Sequence, residues 1–370
     1  MTEILCVVGA RPNFMKIAPI MEAFARQPIA AKLLHTGQHY DPAMSESLFE
    51  QLGIPRPDIN LEVGSASHAV QTANIMRAFE PVLDAERPRA VLVVGDVNST
   101  LACALVAAKK GISIIHVEAG LRSNDRSMPE EINRVLTDQL SDLLYTTERS
   151  ALDNLLREGI APQRVHFVGN VMIDTLRAHL PRAVPPARTL GDPPARAYAL
   201  VTLHRPSNVD DPAILRRLLE TLATMAQEVD VVFPIHPRTR GAAAQHQLTA
   251  LLEAPGMRLL APQGYLEMLG LMQQATLVVT DSGGIQEETT ALGVPCITVR
   301  DNTERPITVS DGTNSLTGPH PDAIMACFRD IMSNGGKRGR IPEYWDGQAA
   351  LRIAAHVRAW LDGAAPLQPA

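Results

Sequence analysis

A stretch in the second half of the chain, Thr280-Asp-Ser-Gly-Gly-Ile-Gln-Glu-Glu288, combines residue types suited to binding an anion. An apolar strand pattern ends there, and a helical pattern follows two glycines. The first amides of a helix have no partner and carry partial positive charge, and Gly283 and Gly284 would let a phosphate approach the backbone. Alternatively, Asp281 or Ser282 only caps the helix.

The same helical pattern carries Glu287 and Glu288 within its first turns. One of them could accept hydrogen bonds from a ribose diol near a bound phosphate, or both could compensate the helix dipole. A second strand-to-helix turn, residues 9–16, holds Arg11 and Lys16. These two cations could neutralise a diphosphate or lie solvated on the surface.

Two histidines follow apolar strand patterns in the second half, each with an arginine close by. His204 directly precedes Arg205, and His236 lies two residues before Arg238. Such pairs suggest a negatively charged ligand, although a histidine after a strand often only satisfies hydrogen bonds, and His204 could also transfer a proton near neutral pH. The chain has neither G-x-G-x-x-G nor G-x-x-x-x-G-K-[ST], so no fingerprint indicates bound NAD or a P-loop nucleotide triphosphatase.

Carboxylates stand at the ends of two strand patterns in the first half, where Asp96 follows one and Glu118 follows the other. Residues two apart in a strand share a face, so His116 and Glu118 are expected to point together. Asp96, His116 and Glu118 could hold a divalent metal. No further spaced ligand accompanies them, however, and acid–base chemistry is the better use.

A helix is predicted to begin at Pro129, where Ser127 and Glu130 fit the S-x-x-E capping box. Glu130 and Arg134 lie four residues apart and could pair on one helical face. By itself, this segment indicates a structural role for Glu130.

Short runs rich in Val, Ile and Leu alternate with longer helical patterns along the 370 residues, which predicts an α/β fold with parallel sheets. The predicted strands are 4–8, 33–36, 90–94, 113–117, 143–146, 165–167, 199–203, 229–233, 257–260, 277–280 and 296–299. In doubly wound sheets, ligands bind outside the carboxyl ends of the strands, where the residues above lie. Five prolines in 181–197 indicate a connection between two domains, and 348–361 has the pattern of an amphipathic helix that could pack on either one.

Composition narrows the function classes. A chain with 45% apolar and 20% charged residues is typical of a globular protein, and its length suggests two domains. The net charge of -6 argues against binding nucleic acid over a broad basic surface. No apolar run is long enough to span a membrane and no leader pattern precedes the first strand, so a cytoplasmic protein is expected. Four separated cysteines predict buried thiols.

Seven motifs occur in an order that extends through nearly the whole chain, from about residue 3 to 346–348. They are Gly9-Ala-Arg-Pro with Lys16, Gly95-Asp96, His116-Val-Glu-Ala-Gly-Leu-Arg122, Pro129-Glu-Glu-Ile-Asn-Arg134, His204-Arg205, Asp281-Ser-Gly-Gly-Ile-Gln-Glu-Glu288 and Thr303-Glu-Arg-Pro306. Together they resemble the non-hydrolysing UDP-N-acetylglucosamine 2-epimerases. The resemblance implies two Rossmann-like domains of the GT-B kind facing a cleft for the nucleotide sugar, formed by 1–172 plus 348–370 and by 173–347.

The resemblance also implies reversible interconversion of UDP-GlcNAc and UDP-ManNAc by elimination and re-addition of UDP, with neither NAD nor a required metal. It implies a homodimer, with no nucleic acid or membrane as partner. The implied catalytic residues are Asp96, Glu118, Glu130 and His204. The implied substrate-binding residues are Arg11, Lys16, Arg205, His236, Ser282, Gly283, Gly284, Glu288 and Arg305.

Two departures from the family pattern keep other functions open. The loop between Leu121 and Pro129 is shorter, and Arg205 is followed by Pro206 rather than by another Arg and a Glu. The alternatives are a hydrolysing epimerase, an epimerase of a UDP-linked diacetamido uronic acid, a GT-B glycosyltransferase and a nonenzymatic nucleotide-sugar sensor. The three carboxylates count against the glycosyltransferase, because donor binding alone does not require so many.

Overall fold

The structure, a computed structural model, describes residues 2–38, 51–192 and 196–363, apart from the side chain of Arg11. The chain divides into two compact units, 1–178 with 343–370 and 179–342. Each unit contains its own parallel sheet. The predicted α/β class with two Rossmann-like units is therefore confirmed. The predicted limits of the two domains, between residues 172 and 173 and between residues 347 and 348, stay predictions.

Among the residues that the structure describes, seven strands form the sheet of the first unit. They are β1 (Ile4–Val8), β2 (Ala31–His35), β3 (Ile59–Asn60), β4 (Ala90–Val94), β5 (Ser113–Ala119), β6 (Leu143–Thr146) and β7 (Val165–Phe167). Its helices before the second unit are α1 (Arg11–Ala25), α2 (His68–Glu86), α3 (Asn98–Lys109), α4 (Pro129–Leu140), α5 (Arg149–Arg157) and α6 (Val171–His179), with a 3₁₀ turn at Pro162–Arg164. The sheet order is β3-β2-β1-β4-β5-β6-β7, and β1 and β4 are buried at every position because helices cover both faces.

In the described part of the second unit, six strands form the sheet. They are β8 (Tyr198–Thr202), β9 (Asp230–Pro234), β10 (Met257–Leu260), β11 (Leu277–Thr280), β12 (Cys296–Thr298) and β13 (Asn314–Leu316), in the order β10-β9-β8-β11-β12-β13. A 3₁₀ turn at Leu180–Arg182 precedes α7 (Pro186–Leu190), α8 (Pro206–Val209), α9 (Pro212–Met225), α10 (Pro237–Gln245), α11 (Thr249–Leu252), α12 (Tyr265–Gln274), α13 (Gly283–Leu292), α14 (Ile307–Ser310) and α15 (Pro321–Asn334).

Strand order reverses between β1 and β4 in the first sheet and between β8 and β11 in the second. Doubly wound sheets bind ligands at such reversals, outside the carboxyl ends of the strands. Asp96 follows β4, His204 follows β8, and Asp281 follows β11. The topology therefore puts residues from three of the predicted motifs at the two positions where this fold binds ligands.

The last helix, α16 (Ala349–Leu361), belongs to the first unit and packs against α1. The loop before it is anchored by Trp345, which is fully buried and donates from Nε1 to the carbonyl of Thr147 at 3.1 Å. The carboxylate of Asp174, on α6, accepts the amides of Ala349 and Ala350 at 3.1 and 2.7 Å. These bonds satisfy two N-terminal amides of the helix.

Two expectations from the sequence differ from the structure. The proline-rich stretch is not a bare connection, because α7 begins at Pro186 and the amide of Val184 donates to the carbonyl of Leu266 at 3.0 Å. Proline is compatible with the first turn of a helix, where its missing amide hydrogen has no partner to lose. The short strands β3 and β13 were not predicted, since two or three residues hold too little periodicity.

Candidate active site

Glu118 lies in a β-bulge at the carboxyl end of β5. The register of β5 against β6 shifts between Val117 and Ala119, and Glu118 has φ of 72°, a left-handed conformation that costs a residue with a side chain about 1–2 kcal/mol. Its Oε1 lies 2.7 Å from Nζ of Lys16, with both side chains buried. A strained residue in a buried ion pair is typical of functional sites, where surrounding contacts hold the strain.

The turn after β4 lies against this ion pair. Gly95 has φ of 66°, and a Cβ atom there would lie 2.8 Å from Nζ of Lys16 and 3.9 Å from Oε1 of Glu118. A side chain at position 95 would therefore displace Lys16. Asp96 follows directly, so the structure brings Asp96, Lys16 and Glu118 together at the ends of the adjacent strands β4 and β5.

Arg134, on α4, holds the Asp96 carboxylate. Its Nη1 lies 2.5 Å from Oδ2 of Asp96, and its Nη2 lies 2.8 Å from Oε2 of Glu131. Burial alone would raise the pKa of Glu131, but the amide of Ser123 and the guanidinium of Arg134 outweigh it and lower that pKa. Asp96 is thus oriented by a cation that is itself fixed by a second carboxylate.

The predicted capping box and the predicted pairing of Glu130 with Arg134 are wrong. The helix begins at Pro129 as expected, but its N-cap residue, Met128, makes no side-chain capping bond, and Ser127 donates instead to Asp125 at 2.6 Å. Positions three and four residues apart are both neighbours on a helix. Glu131 rather than Glu130 lies beside Arg134, and Glu130 stays partly exposed.

His116 does not join Asp96 and Glu118 as a metal ligand. Its Nδ1 lies 2.7 Å from Oδ1 of Asp138, and its Nε2 lies 2.9 Å from the carbonyl of Gly95. The bulge also breaks the two-residue alternation on which the expectation of a shared face rested. Within the described part of the chain, no three His, Cys, Asp or Glu side chains are grouped as a metal site requires.

In the second unit, Asp281 holds the loop that follows β8. Its carboxylate accepts the amides of His204 and Arg205 at 3.0 and 2.9 Å, and it lies 3.0 Å from Nδ1 of His204. Burial alone would raise the pKa of Asp281, but His204 and these amides lower it. The alternative that Asp281 caps α13 is wrong, and Ser282 is the N-cap residue without a side-chain capping bond.

Three arginines surround two buried carboxylates in the second unit. The group consists of Arg205, Arg300, Arg305, Glu287 and Glu304. Arg305 lies 2.9 Å from Glu287 and 2.5 Å from Glu304, and Arg300 lies 2.8 Å from Glu304. Burial alone would raise the pKa of the Glu304 carboxyl, but the guanidinium groups outweigh it and lower that pKa. Asp281 also acts electrostatically on Arg205, so carboxylates hold the guanidinium groups in place.

The glycine turn at the start of α13 lies against this arginine group. A Cβ atom on Gly283 would lie 2.6 Å from Nη1 of Arg305 and 2.8 Å from Oε1 of Glu304. Ser282 and Gly284 flank Gly283 and are partly exposed. Helix amides and a guanidinium group that converge on one turn form an arrangement suited to a phosphate.

Glu288 is a buried carboxyl one turn further along α13. It accepts a hydrogen bond from the hydroxyl of Tyr265 at 3.1 Å. Burial raises the pKa of Glu288 to about 7, with the bond from Tyr265 opposing the rise and the charge of Glu287 adding to it. A carboxyl that can exist in either protonation state near neutral pH can accept from, or donate to, a polar ligand.

The two histidines that follow strands in the second unit lie near each other, with ring centroids 5.7 Å apart. His204 is partly exposed. His236 is the N-cap of α10, and its Nδ1 accepts the amide of Arg238 at 3.2 Å. The guanidinium of Arg238 pairs with Asp210 at 2.5 Å, so a ligand is not needed to explain this arginine.

The sequence interpretation missed Glu131, Asp138, Tyr265 and Glu304. Glu131 and Glu304 lie within two of the family motifs, so their position and charge could have marked them. Asp138 and Tyr265 lie in helical patterns with no local signal, and only the fold brings them to His116 and Glu288. The side chain of Arg11 lies outside the described residues.

Two doubly wound units with charged turns at their strand-order reversals define a class of α/β proteins that bind ligands at the ends of strands. A comparison with protein families identifies the member of that class. The family model described as UDP-N-acetylglucosamine 2-epimerase matches residues 22–358, and the chain belongs to this family. The resemblance inferred from the sequence motifs is thereby confirmed. None of the helices described has the length and apolar character that a membrane span requires.

Individual relatives match over nearly the whole chain. The UDP-N-acetylglucosamine 2-epimerase of Methanococcus maripaludis is 41% identical over 90% of this chain and 93% of its own length. The UDP-2,3-diacetamido-2,3-dideoxy-D-glucuronate 2-epimerase of Pseudomonas aeruginosa is 42% identical over 96% and 99%. A solved structure of the Methanocaldococcus jannaschii UDP-GlcNAc 2-epimerase in complex with UDP-GlcNAc and UDP has a TM-score of 0.89 at 40% identity, covering 98% of this chain and all of that one.

Proposed function

We propose that this protein is a non-hydrolysing epimerase that interconverts UDP-GlcNAc and UDP-ManNAc at C2 of the sugar. Family membership and the relatives that act on UDP-GlcNAc support the substrate. The observation that carries the proposal is the buried pair of Lys16 and Glu118, 2.7 Å apart, with Glu118 in a strained bulge beside the Asp96 turn. Two carboxylates near one another are what a proton transfer on both faces of a carbon requires.

The hydrogen on C2 is poorly acidic, so direct removal would face a high barrier. Elimination avoids this barrier. The bond from C1 to the UDP oxygen breaks with its electron pair leaving on UDP, a base takes the C2 proton, and a 2-acetamidoglycal with a C1–C2 double bond remains. A proton returned to the opposite face of C2 and attack of UDP on C1 then complete the inversion. Because no step of this route oxidises the sugar, the route has no need of NAD.

In this proposal the carboxylates of the first unit handle the proton. Asp96, Glu118 and Glu130 are the candidates for removing and returning it, with Lys16 and Arg134 fixing two of the three. The side chain of Glu130 is partly exposed and makes no hydrogen bond to another described residue, so both of its carboxylate oxygens are available to a ligand. General acid–base catalysis by positioned side chains contributes roughly 10²–10⁴-fold to a rate.

In the second unit, the glycine turn and its arginines are proposed to bind the diphosphate as it leaves. Ser282, Gly283 and Gly284 would offer backbone amides, while Arg305 and Arg205 would offset growing negative charge. Preorganised donors of this kind are worth about 3–4 kcal/mol each when they meet charge that develops in the transition state.

Four further residues have proposed roles in binding or converting the UDP-sugar. His204, held by Asp281, would assist departure of UDP as a proton donor or hydrogen-bond donor. Glu288 would accept from the ribose hydroxyls, and His236 and Arg11 would bind the UDP moiety. The roles of these residues follow from their match to the family motifs.

A second candidate substrate is a UDP-linked 2,3-diacetamido uronic acid. It is favoured by the Pseudomonas aeruginosa relative, whose identity of 42% over 96% of this chain is within one percentage point of the 41% identity of the Methanococcus maripaludis UDP-N-acetylglucosamine 2-epimerase. Both reactions use the same chemistry at C2, so the carboxylates do not separate them. Purified protein given each nucleotide sugar separately, and both together, will show which one has the larger kcat/KM.

Product analysis distinguishes the non-hydrolysing reaction from its hydrolysing counterpart. We expect UDP-GlcNAc alone to give an equilibrium mixture with UDP-ManNAc, separated by chromatography, while free sugar stays at the level of a control without protein. Stoichiometric free ManNAc and UDP would instead establish a hydrolysing epimerase.

We further propose a cytoplasmic homodimer. Ile132 and Leu136 lie one turn apart on α4 and are 41% and 46% exposed, which is more apolar exposure than an isolated helix surface favours. Light scattering on the purified protein will give its mass. A mass of 40.1 kDa, that of one chain, would exclude the dimer.

A further inference from the structure

Asp138 lies on α4 in the first unit and belongs to none of the predicted motifs. Its side chain is completely buried, yet both carboxylate oxygens are hydrogen-bonded. Oδ1 accepts from Nδ1 of His116 at 2.7 Å, while Oδ2 accepts from the amide of Gly120 at 3.1 Å and from Nη2 of Arg122 at 2.7 Å. One buried carboxylate on α4 thus holds β5 and the turn that follows it at three points.

One arm of this arrangement reaches the turn that carries Asp96. His116 contacts Asp138 through Nδ1 and the carbonyl of Gly95 through Nε2, at 2.9 Å. Both partners accept hydrogen bonds, so both ring nitrogens carry a hydrogen when both bonds are made. Because Gly95 directly precedes Asp96, the imidazole fixes the peptide from which the Asp96 side chain projects.

The other arm reaches the bulge that carries Glu118. The amide of Gly120, two residues after Glu118, donates to Asp138, and Gly120 has φ of 81°. Arg122 adds a second contact and pairs through two bonds with Glu158, at 2.8 and 2.6 Å. The turn that directly follows the strained Glu118 is therefore held by the carboxylate that also accepts from His116.

Burying these charges is not an effective way to stabilise the folded state. Replacing a buried ion pair by apolar residues of similar volume is often neutral or stabilising. Burial alone would raise the pKa of Asp138, but the charges of His116 and Arg122 outweigh it and lower that pKa. What the network supplies instead is orientation, because its bonds fix directions that apolar contacts would leave free.

We propose that Asp138 is a positioning residue for the epimerisation, which holds the Asp96 turn through His116 and the Glu118 bulge through Gly120 in one geometry. This inference rests on the proposed function. It assigns to Asp138 no contact with the substrate. A displacement of either carboxylate by about 1 Å is enough to cost roughly 100-fold in rate.

The test compares Asp138→Asn with Asp142→Asn in the full-length protein. Asparagine at 138 keeps one accepting oxygen, but its NH2 group replaces the other. The NH2 group then faces a donor, which is either His116 or the pair of Gly120 and Arg122. Asp142 is a matched control, since its carboxylate accepts the amide of Ile114 at 2.8 Å at the opposite end of the same strand, β5. We expect kcat for UDP-GlcNAc to fall 10- to 100-fold in Asp138→Asn, with KM and the Kd for UDP within threefold of wild type.

A fall in kcat without a change in the Kd for UDP distinguishes positioning from general loss of structure. The proposed diphosphate contacts lie in the second unit, whereas Asp138 lies in the first. Asp142→Asn is expected to keep kcat within twofold. Should Asp138→Asn fail to fold, His116→Gln decides the matter. Glutamine can still donate to the Gly95 carbonyl but no longer donates to Asp138. We therefore expect kcat to fall at least fivefold, with the Kd for UDP unchanged.

Wild-type kcat in Asp138→Asn, or in His116→Gln where the first variant does not fold, would overturn the inference. A parallel fall of kcat, UDP affinity and Tm would overturn it as well, since this would indicate a structural role alone. Failure of the wild-type protein to epimerise any UDP-sugar would instead refute the proposed function. This outcome depends on the wild-type protein alone and on no variant.

Discussion

Individual side chains at the ends of β4 and β5 differ in how they are held. Glu118 is fixed by Lys16, and Asp96 is fixed by Arg134. Glu130 lies on the exposed side of the same region, in the first turn of α4. Two oriented carboxylates and a third that is partly exposed are what the proposed removal and return of a proton would use.

Glu118→Gln tests the contribution of one of these carboxylates. Glutamine keeps the shape and the hydrogen bond to Lys16 but cannot take a proton, so kcat is expected to fall roughly 10²–10⁴-fold. Initial rates of UDP-ManNAc formation will measure this. Glu80→Gln is the control, because Glu80 is an exposed side chain of α2 in the same unit, and its kcat should stay within twofold. Retention of more than a tenth of the activity by Glu118→Gln would contradict the assignment.

Glu288 gives a prediction about stability and pH. Its pKa is about 7 in the folded protein, against an ordinary value of 4.5, because burial disfavours the charged form. The folded state therefore binds the proton more tightly, and the associated stability is complete below pH 4.5 and is lost as pH rises toward 7. Glu288→Gln removes this dependence while keeping an acceptor for Tyr265.

We therefore expect Glu288→Gln and wild type to be equally stable at pH 4.5, with the variant more stable by roughly 3 kcal/mol at pH 8. Urea unfolding followed by circular dichroism at both values will show the difference. An identical difference between the two proteins at both pH values would mean that the Glu288 carboxyl is not protonated in the folded state near neutral pH.

At the scale of elements, the bulge in β5 and the docking of α16 matter most. Regular strands were predictable: β1, β4, β6, β7, β10 and β11 have the predicted bounds, and four of them, β1, β4, β6 and β11, are mainly apolar runs that end at a polar or glycine residue. The bulge was not, since it depends on Asp138 and Lys16, which reach β5 from two helices distant in sequence. Likewise, spacing alone could not decide whether Glu130 or Glu131 would face Arg134.

The docking of α16 depends on Asp174. Asp174→Ala leaves the buried amides of Ala349 and Ala350 without acceptors, which we expect to destabilise the docked helix by about 2 kcal/mol. Hydrogen exchange of peptides covering 349–361 will report this as faster exchange. Asp322→Ala, in the exposed first turn of α15, is the matched control. Unchanged exchange in the α16 peptides would show that the cap contributes little.

At the scale of the whole molecule, each unit has its own sheet and its own buried core. The family motifs predicted two units and the return of the last helix to the first, since the motifs follow one another along nearly the whole chain. They did not indicate how the carboxylates are held, because Glu131, Asp138 and Tyr265 act through contacts that form only after folding.

The two cores predict different consequences of cutting the chain. A fragment of residues 179–342 should fold and bind UDP, because the core of the second unit is built within those limits. A chain that ends at 342 should lose the first unit, since it lacks the buried Trp345 and α16. Calorimetry and UDP titration will test both fragments. An unfolded 179–342 fragment would contradict the division of the chain into two compact units at these limits.

The proposed reaction replaces the C2 hydrogen of the sugar by a proton from solvent on the opposite face. It is tested most directly by incubating the protein with UDP-GlcNAc in deuterated water and examining C2 by proton NMR. The account predicts UDP-ManNAc that carries deuterium at C2, with exchange also entering the UDP-GlcNAc pool as the reaction reverses. Epimerised product that retains its original hydrogen at C2 would contradict it.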